Sequence, residues 1–208
     1  MKGAQVWRKN TLTVMEGKMS ITKQEIIKTA VYLFNKKGFS ATSVQDIADA
    51  LNVTKAALYY YISSKEEILY EIFDQTMTTA ELRLKNLMKK KIPVEELIRE
   101  IIYNQIMAFI DEMPNIAIFF TEKAHLLPEN LKSINARRRK YEDIIVGVLE
   151  EGVEKGIFKK VDIRPTVYAI IGMCNWLYHW YKPEGRLKPE EIAYLYADII
   201  LNGLLKSE

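Results

Sequence analysis

Lys55, Ala56, Ala57, Tyr59 and Tyr60 fall within six residues and bring together one cation, two small methyl-bearing side chains and two phenols. That set suits the surface of a nucleic acid. Lysine pairs with phosphate, phenol hydroxyls reach phosphates or base edges, and a methyl meets a thymine methyl. Presenting them together requires a short exposed helix, and residues 42–62 supply it. Thr42 or Ser43 caps a first helix on which Val44, Ile47, Ala48 and Leu51 recur at i, i+3, i+4 and i+7. The chain reverses at Leu51-Asn52-Val53, because Asn tolerates the left-handed backbone that a tight reversal needs. Thr54 caps the second helix, whose Leu58 and Ile62 point back at the first. Two crossed helices with so short a turn predict a helix-turn-helix, its second helix in a DNA major groove. Thr54 joins the groove-facing set, while Thr42, Ser43 and Lys65 are expected to hold phosphates and set the register. The bland alternative is a helical hairpin inside a core, against which apolar spacing, caps and turn residue all argue.

Charge supports the nucleic-acid reading. The 208 residues carry a net +3, unevenly placed: ten Lys/Arg face four Asp/Glu through Lys65, and twenty face twenty-three beyond it. A basic head on a slightly acidic body is the footprint of a nucleic-acid reader joined to a second function. A helical adaptor using the same motif to bind protein is the alternative of a different class, and it leaves the basic head without a purpose. Catalysis has little to stand on. There are two histidines, His125 and His179, and one cysteine, Cys174, with no Gly-rich phosphate loop, nucleophile elbow or paired metal-ligand spacing. No metal and no cofactor are expected. A single cysteine excludes an internal disulfide and suits a reducing cytoplasm. The longest apolar run, 167–181, is broken by Asn175 and His179 and falls short of the ~20 residues a membrane helix needs. Residues 1–20 lack a signal peptide's apolar core and read as a flexible extension.

The elements around the motif are all helical. Ile26, Ile27, Ala30, Val31 and Phe34 stripe a helix over 23–37, stopped by Gly38. Ser64-Lys65-Glu66-Glu67 offers a capping box to a long helix reaching Lys91 without a flexible linker, so a shift at one end must move the other. Pro93, Pro114, Pro128, Pro165 and Pro189 punctuate the rest into helices over 94–112, 116–123, 128–156, 166–181 and 189–205. The expectation is an all-α chain of about nine helices, divided into the extension at 1–20, a three-helix helix-turn-helix domain at 21–66 and a helical ligand-binding and dimerisation domain at 67–208. The last two long helices each carry two apolar faces, so each needs two covers. A second copy of the chain is the simplest second cover, with Ala193, Ala197, Ile200 and Leu204 expected at that interface.

The run Gly38-Phe39-Ser40-Ala41-Thr42-Ser43, through Leu58-Tyr59-Tyr60-Tyr61-Ile62, to Ser64-Lys65-Glu66-Glu67-Ile68-Leu69 resembles the DNA-binding domain of the TetR family of repressors. Asn52 stands where that family usually has Gly, Ala57 where Ser or Thr is common, Tyr61 where His is common and Ile62 where Phe is usual. The resemblance implies a homodimeric repressor on palindromic DNA, released by a small-molecule effector. The tail from Asn175-Trp176-Leu177-Tyr178-His179-Trp180 to Pro189-Glu190-Glu191-Ile192 resembles the branch that senses fatty acyl-CoA and controls fatty acid degradation.

Residue placement bears on that effector. Over 128–156, Leu131, Ile134, Tyr141, Ile145 and Leu149 form an inner stripe, and Arg138 falls inside it. An arginine on an apolar face needs an anionic partner, either a Glu of the chain or a ligand phosphate. In the ligand reading Arg138, with Arg137 at the edge, meets the CoA phosphates. The acyl chain then lies among Ile102, Ile106, Phe109, Phe119, Phe120, Tyr141, Met173, Trp176 and Trp180. Methionine and aromatic lining also fits a multidrug-responsive repressor. Lipophilic cations would want an acidic pocket, and these residues lack one.

Overall fold

The computed structural model describes residues 21–205; the extension expected at 1–20 lies outside them. Helix α1 (Lys23–Lys37) starts on a capping box, Thr22 with Glu25, and stops at Gly38, whose φ of 85° a side chain would resist. Helix α2 (Val44–Ala50) starts on a second box, Ser43 with Asp46. Asn52 then takes φ 54°, the left-handed turn expected of it, and Thr54 caps α3 (Lys55–Tyr59) by accepting the Ala57 N–H. Helix α4 (Lys65–Leu87) is the long strut from head to body. Its capping box is shifted: Ser64 Oγ accepts the Glu67 N–H, but the Glu67 carboxylate takes the backbone N–H and hydroxyl of Ser63.

The body comprises α5 (Val94–Asp111), α6 (Met113–Glu122) with a 3-10 turn at Lys123–His125, α7 (Pro128–Glu154), α8 (Ile163–Asn175), α9 (Leu177–Trp180) and α10 (Pro189–Leu204). Trp176 keeps helical dihedrals, φ −63° and ψ −15°, so α8 runs directly into α9, and the described residues hold about nine helices. Helix α8 begins three residues earlier than its sequence suggests. Pro165 sits within its first turn, where the missing N–H would have no partner anyway. Among the described residues the sole extended pairing is an isolated bridge, Phe158 to Leu205, and no helix is long and apolar enough to cross a membrane.

Two apolar clusters hold the chain. One joins α1, α2, α3 and the start of α4, and it draws in Ile118, Leu126 and Ile134 from the body. The other fills the body, where α10 packs chiefly on α5. At the end of α7 the Phe158 ring lies where a Cβ on Gly152 would stand, and the Ile157 and Phe158 N–H groups both donate to the Gly152 carbonyl.

Burial corrects the expected dimer face. Ala193, Ala197 and Leu204 are buried in the chain's own core and Ile200 is half-buried, and the small Ala193 and Ala197 side chains let α10 lie close on α5. The uncovered face of α10 is instead Leu195 and Ile199, 46% and 53% exposed. On α8–α9, Trp176 and Trp180 are exposed as well, 60% and 42%.

Candidate functional site

Helix α3 presents Thr54, Lys55, Ala56, Tyr59 and Tyr60 on the surface, with Ala57 half-buried beneath them. Tyr60 is 84% exposed, an unusual state for a large ring in a chain with a well-filled core. Lys55 Nζ lies 5.7 Å from the Tyr59 ring centre, which steadies the cation without removing it from solvent. Leu58, fully buried, anchors the opposite side of α3 on α2. Ser43 is exposed at the start of α2, its hydroxyl 2.6 Å from Asp46 Oδ2. Lys37 and Ser43 together hold the Asp46 carboxyl below the usual range.

Two residues expected at phosphates serve elsewhere. Thr42 is buried, and its hydroxyl donates to the Gly38 carbonyl at 2.8 Å, closing the α1–α2 loop. Lys65 donates to the Phe39 carbonyl at 2.7 Å and lies 4.1 Å from that residue's ring centre. Both fix the loop that places α2. The body grips the same loop. Glu122 Oε1 accepts the Phe39 N–H at 3.4 Å, Glu122 Oε2 lies 3.2 Å from His125 Nδ1, and His125 Nε2 lies 3.2 Å from Ser40 Oγ.

Behind the head is a cavity of about 140 Å³. Helix α4 contributes Phe73, Thr76, Met77, Thr79 and Ala80; α5 contributes Gln105, Ala108, Phe109 and Glu112. Phe119 and Phe120 come from α6, Arg138, Tyr141 and Glu142 from α7, and Ile171 and Asn175 from α8. Of the residues expected here, Phe109, Phe119, Phe120, Arg138 and Tyr141 are present. Ile102 and Ile106 are not, because they turn fully into the core behind the cavity. Met173 is half-buried outside the lining, and Trp176 and Trp180 face away from it, on the uncovered surface.

Arg137 is also corrected. Its Nε and Nη2 donate to the two Glu81 oxygens at 2.8 and 2.7 Å, and its Nη1 donates to Asp74 Oδ1 at 2.5 Å. Hydrogen bonding to Glu81 raises its pKa further, and the guanidinium clamps α7 to α4 with no donor fork left for a phosphate. Arg138 is 49% exposed at the cavity rim, its Nε 3.4 Å from Glu142 Oε1 one helical turn on. Glu142 is nearly all buried and accepts no hydrogen bond among the described residues. The expectation that the lining lacks acid therefore fails, since Glu112 and Glu142 both face the cavity. Tyr141 donates to Gln105 Oε1 at 2.5 Å, Gln105 Nε2 reaches Asn175 Oδ1 at 3.5 Å, and burial pushes the Tyr141 phenol up, so it stays neutral.

Phe73, Met77 and Ala80 lie on the apolar stripe of α4, which tells the inner side but not that a cavity borders it, and Thr76 and Thr79 carry no signal apart from ordinary helix surface. Glu142 was legible: it follows Arg138 by four, the spacing of an ion pair on one helix face.

Comparison with known proteins agrees with this layout. Residues 26–72 match the model of bacterial regulatory proteins of the tetR family, and residues 91–204 match the tetracyclin repressor-like C-terminal domain. The chain is similar to PfmR, a TetR family transcriptional regulator from Thermus thermophilus, at 35% identity and TM-score 0.80 over 87% of this chain and 99% of that one. It is similar to AibR, whose structure holds isovaleryl coenzyme A and operator DNA, at 30% identity and TM-score 0.75 over 88% and 97% of the two chains. The transcriptional repressor KstR2 of Mycobacterium tuberculosis is 25% identical over 192 residues, covering 91% of this chain and 96% of that protein. The chain belongs to the TetR family: it is a helix-turn-helix transcriptional regulator, not an enzyme.

Proposed function

We propose that the chain is a cytoplasmic homodimeric repressor that reads a palindromic operator through α3 and leaves it when a fatty acyl-CoA or related thioester enters the cavity. The single observation that carries the reading is the cavity's position. It is walled by α4 and α6, and both of these hold the α1–α2 loop, through Lys65 and Glu122. A ligand that parts them must shift the head at 21–66 against the body at 67–208, and a dimer's two heads then lose their half-site spacing. The half-exposed Arg138 at the rim supports an anionic ligand, as does the likeness to AibR with its bound isovaleryl coenzyme A. Glu112 and Glu142 favour a second reading, a lipophilic cation held against the buried carboxylate.

For DNA, Thr54, Lys55, Ala56, Ala57, Tyr59 and Tyr60 are assigned to the groove and Ser43 to a phosphate. Lys55→Ala should weaken binding to every sequence and lower the slope of log affinity against log salt by about one unit. A gel-shift series over salt checks this, and an unchanged slope would remove Lys55 from the interface.

For assembly, Leu195, Ile199 and Trp176 are assigned to the two-fold contact, because they are large apolar residues left exposed on the body's last helices. Light scattering should give a dimer for the unmodified chain and folded monomers for Ile199→Arg. A monomeric parent chain, or a dimeric Ile199→Arg, would contradict the assignment.

For the effector, operator release should follow an acyl-CoA thioester rather than free fatty acid or a cationic dye. Arg138→Ala should raise the half-release concentration of thioester about tenfold, the cost of one charge-assisted contact. Release by the dye alone would establish the cation reading in its place.

A further inference from the structure

We propose that the cavity is cut for a short, uncharged acyl group of about six carbons or fewer, with the CoA head left outside at Arg138. The proposal rests on the acyl-CoA reading above and adds the class of thioester. Size comes first. The space is about 140 Å³, and a dry apolar cavity of about 150 Å³ holds one benzene-sized hydrocarbon. A palmitoyl chain is far larger.

The closed end does not give easily. Phe73 and Phe109 are each 1% exposed and belong to the two apolar clusters that hold the head and the body. The Phe119 ring stands edge-on to Phe73, centres 5.1 Å apart. Lengthening the cavity would open a close-packed core, where displaced rings lose contacts that nothing replaces.

Orientation follows from exposure. Arg138 and Phe120 are the open residues of the lining, so the charged head of a thioester stays at that rim and the acyl group points inward. Gln105 and Asn175 are neutral amides along the way, suited to a carbonyl oxygen.

Charge sets the second limit. Glu142 faces the cavity nearly fully buried, with Arg138 as its ionic neighbour, and Glu112 faces the same space. An acyl group ending in its own carboxylate would place like charges together in a poorly solvated site. Succinyl and glutaryl thioesters are excluded on that ground, although they fit by volume.

The test is calorimetric titration of the full chain with propionyl-, isovaleryl-, octanoyl-, palmitoyl- and glutaryl-CoA. Isovaleryl-CoA should bind at least about tenfold tighter than palmitoyl- or glutaryl-CoA, the discrimination that pocket fit and charge supply. Ala108→Leu fills the inner wall and should weaken isovaleryl-CoA about tenfold more than propionyl-CoA. Palmitoyl-CoA binding as tightly as isovaleryl-CoA would overturn the length limit, and glutaryl-CoA doing so would overturn the charge limit; in both cases the acyl-CoA reading survives. Absence of binding by every thioester would sink that reading and this one together. The parent chain's ligand series decides the matter even if Ala108→Leu fails to fold.

Discussion

One residue, Phe39, carries the relation between head and body. The Phe39 N–H is accepted by Glu122 of α6, and the Phe39 carbonyl is held by Lys65 at the start of α4. Its ring is buried against Phe34, with centres 5.1 Å apart, and it also lies against His125. Backbone groups withdrawn from water must find partners. Here the partners belong to two different helices, so the loop that positions α2 cannot keep its hydrogen bonds if those helices separate.

The same two helices wall the cavity. Phe73, on α4, and Phe119, on α6, meet across it. Side chains expected at ligand or DNA hold this frame together instead. Arg137 ties α7 to α4 through Glu81 and Asp74, and Lys65 and Thr42 tie down the loop. The frame is stiff on the α4–α7 side and joined at the loop by a few polar contacts. That asymmetry gives a wedge in the cavity a preferred outlet, toward the head.

The fold was legible because its signals are local and agree with one another. Gly38 and Asn52 take the positive φ that their types permit, the Ser43 and Thr54 caps form, and five of the six prolines stand in or beside a helix's first turn. Sites were less legible, because a helical pattern tells which side is apolar but not which neighbour covers it. Ala193 and Leu195 both belong to apolar stripes of α10; only the packing on α5 makes the first core and the second surface. Trp176 looked like pocket lining and is the most exposed of the large apolar residues in the body. Arg137 and Arg138 are neighbours in sequence, yet 100° of helical rotation gives one a bidentate clamp and the other an open rim.

Release of operator by a ligand requires that cavity and head communicate through the Phe39 loop. Hydrogen–deuterium exchange on the DNA-free chain reads this directly, with and without the thioester that releases operator. Faster exchange over residues 38–42, with the amides of α10 unchanged, is the predicted result, since parting α4 from α6 strains the Glu122 and Lys65 contacts. Operator release with protection over 38–42 unaltered would contradict it.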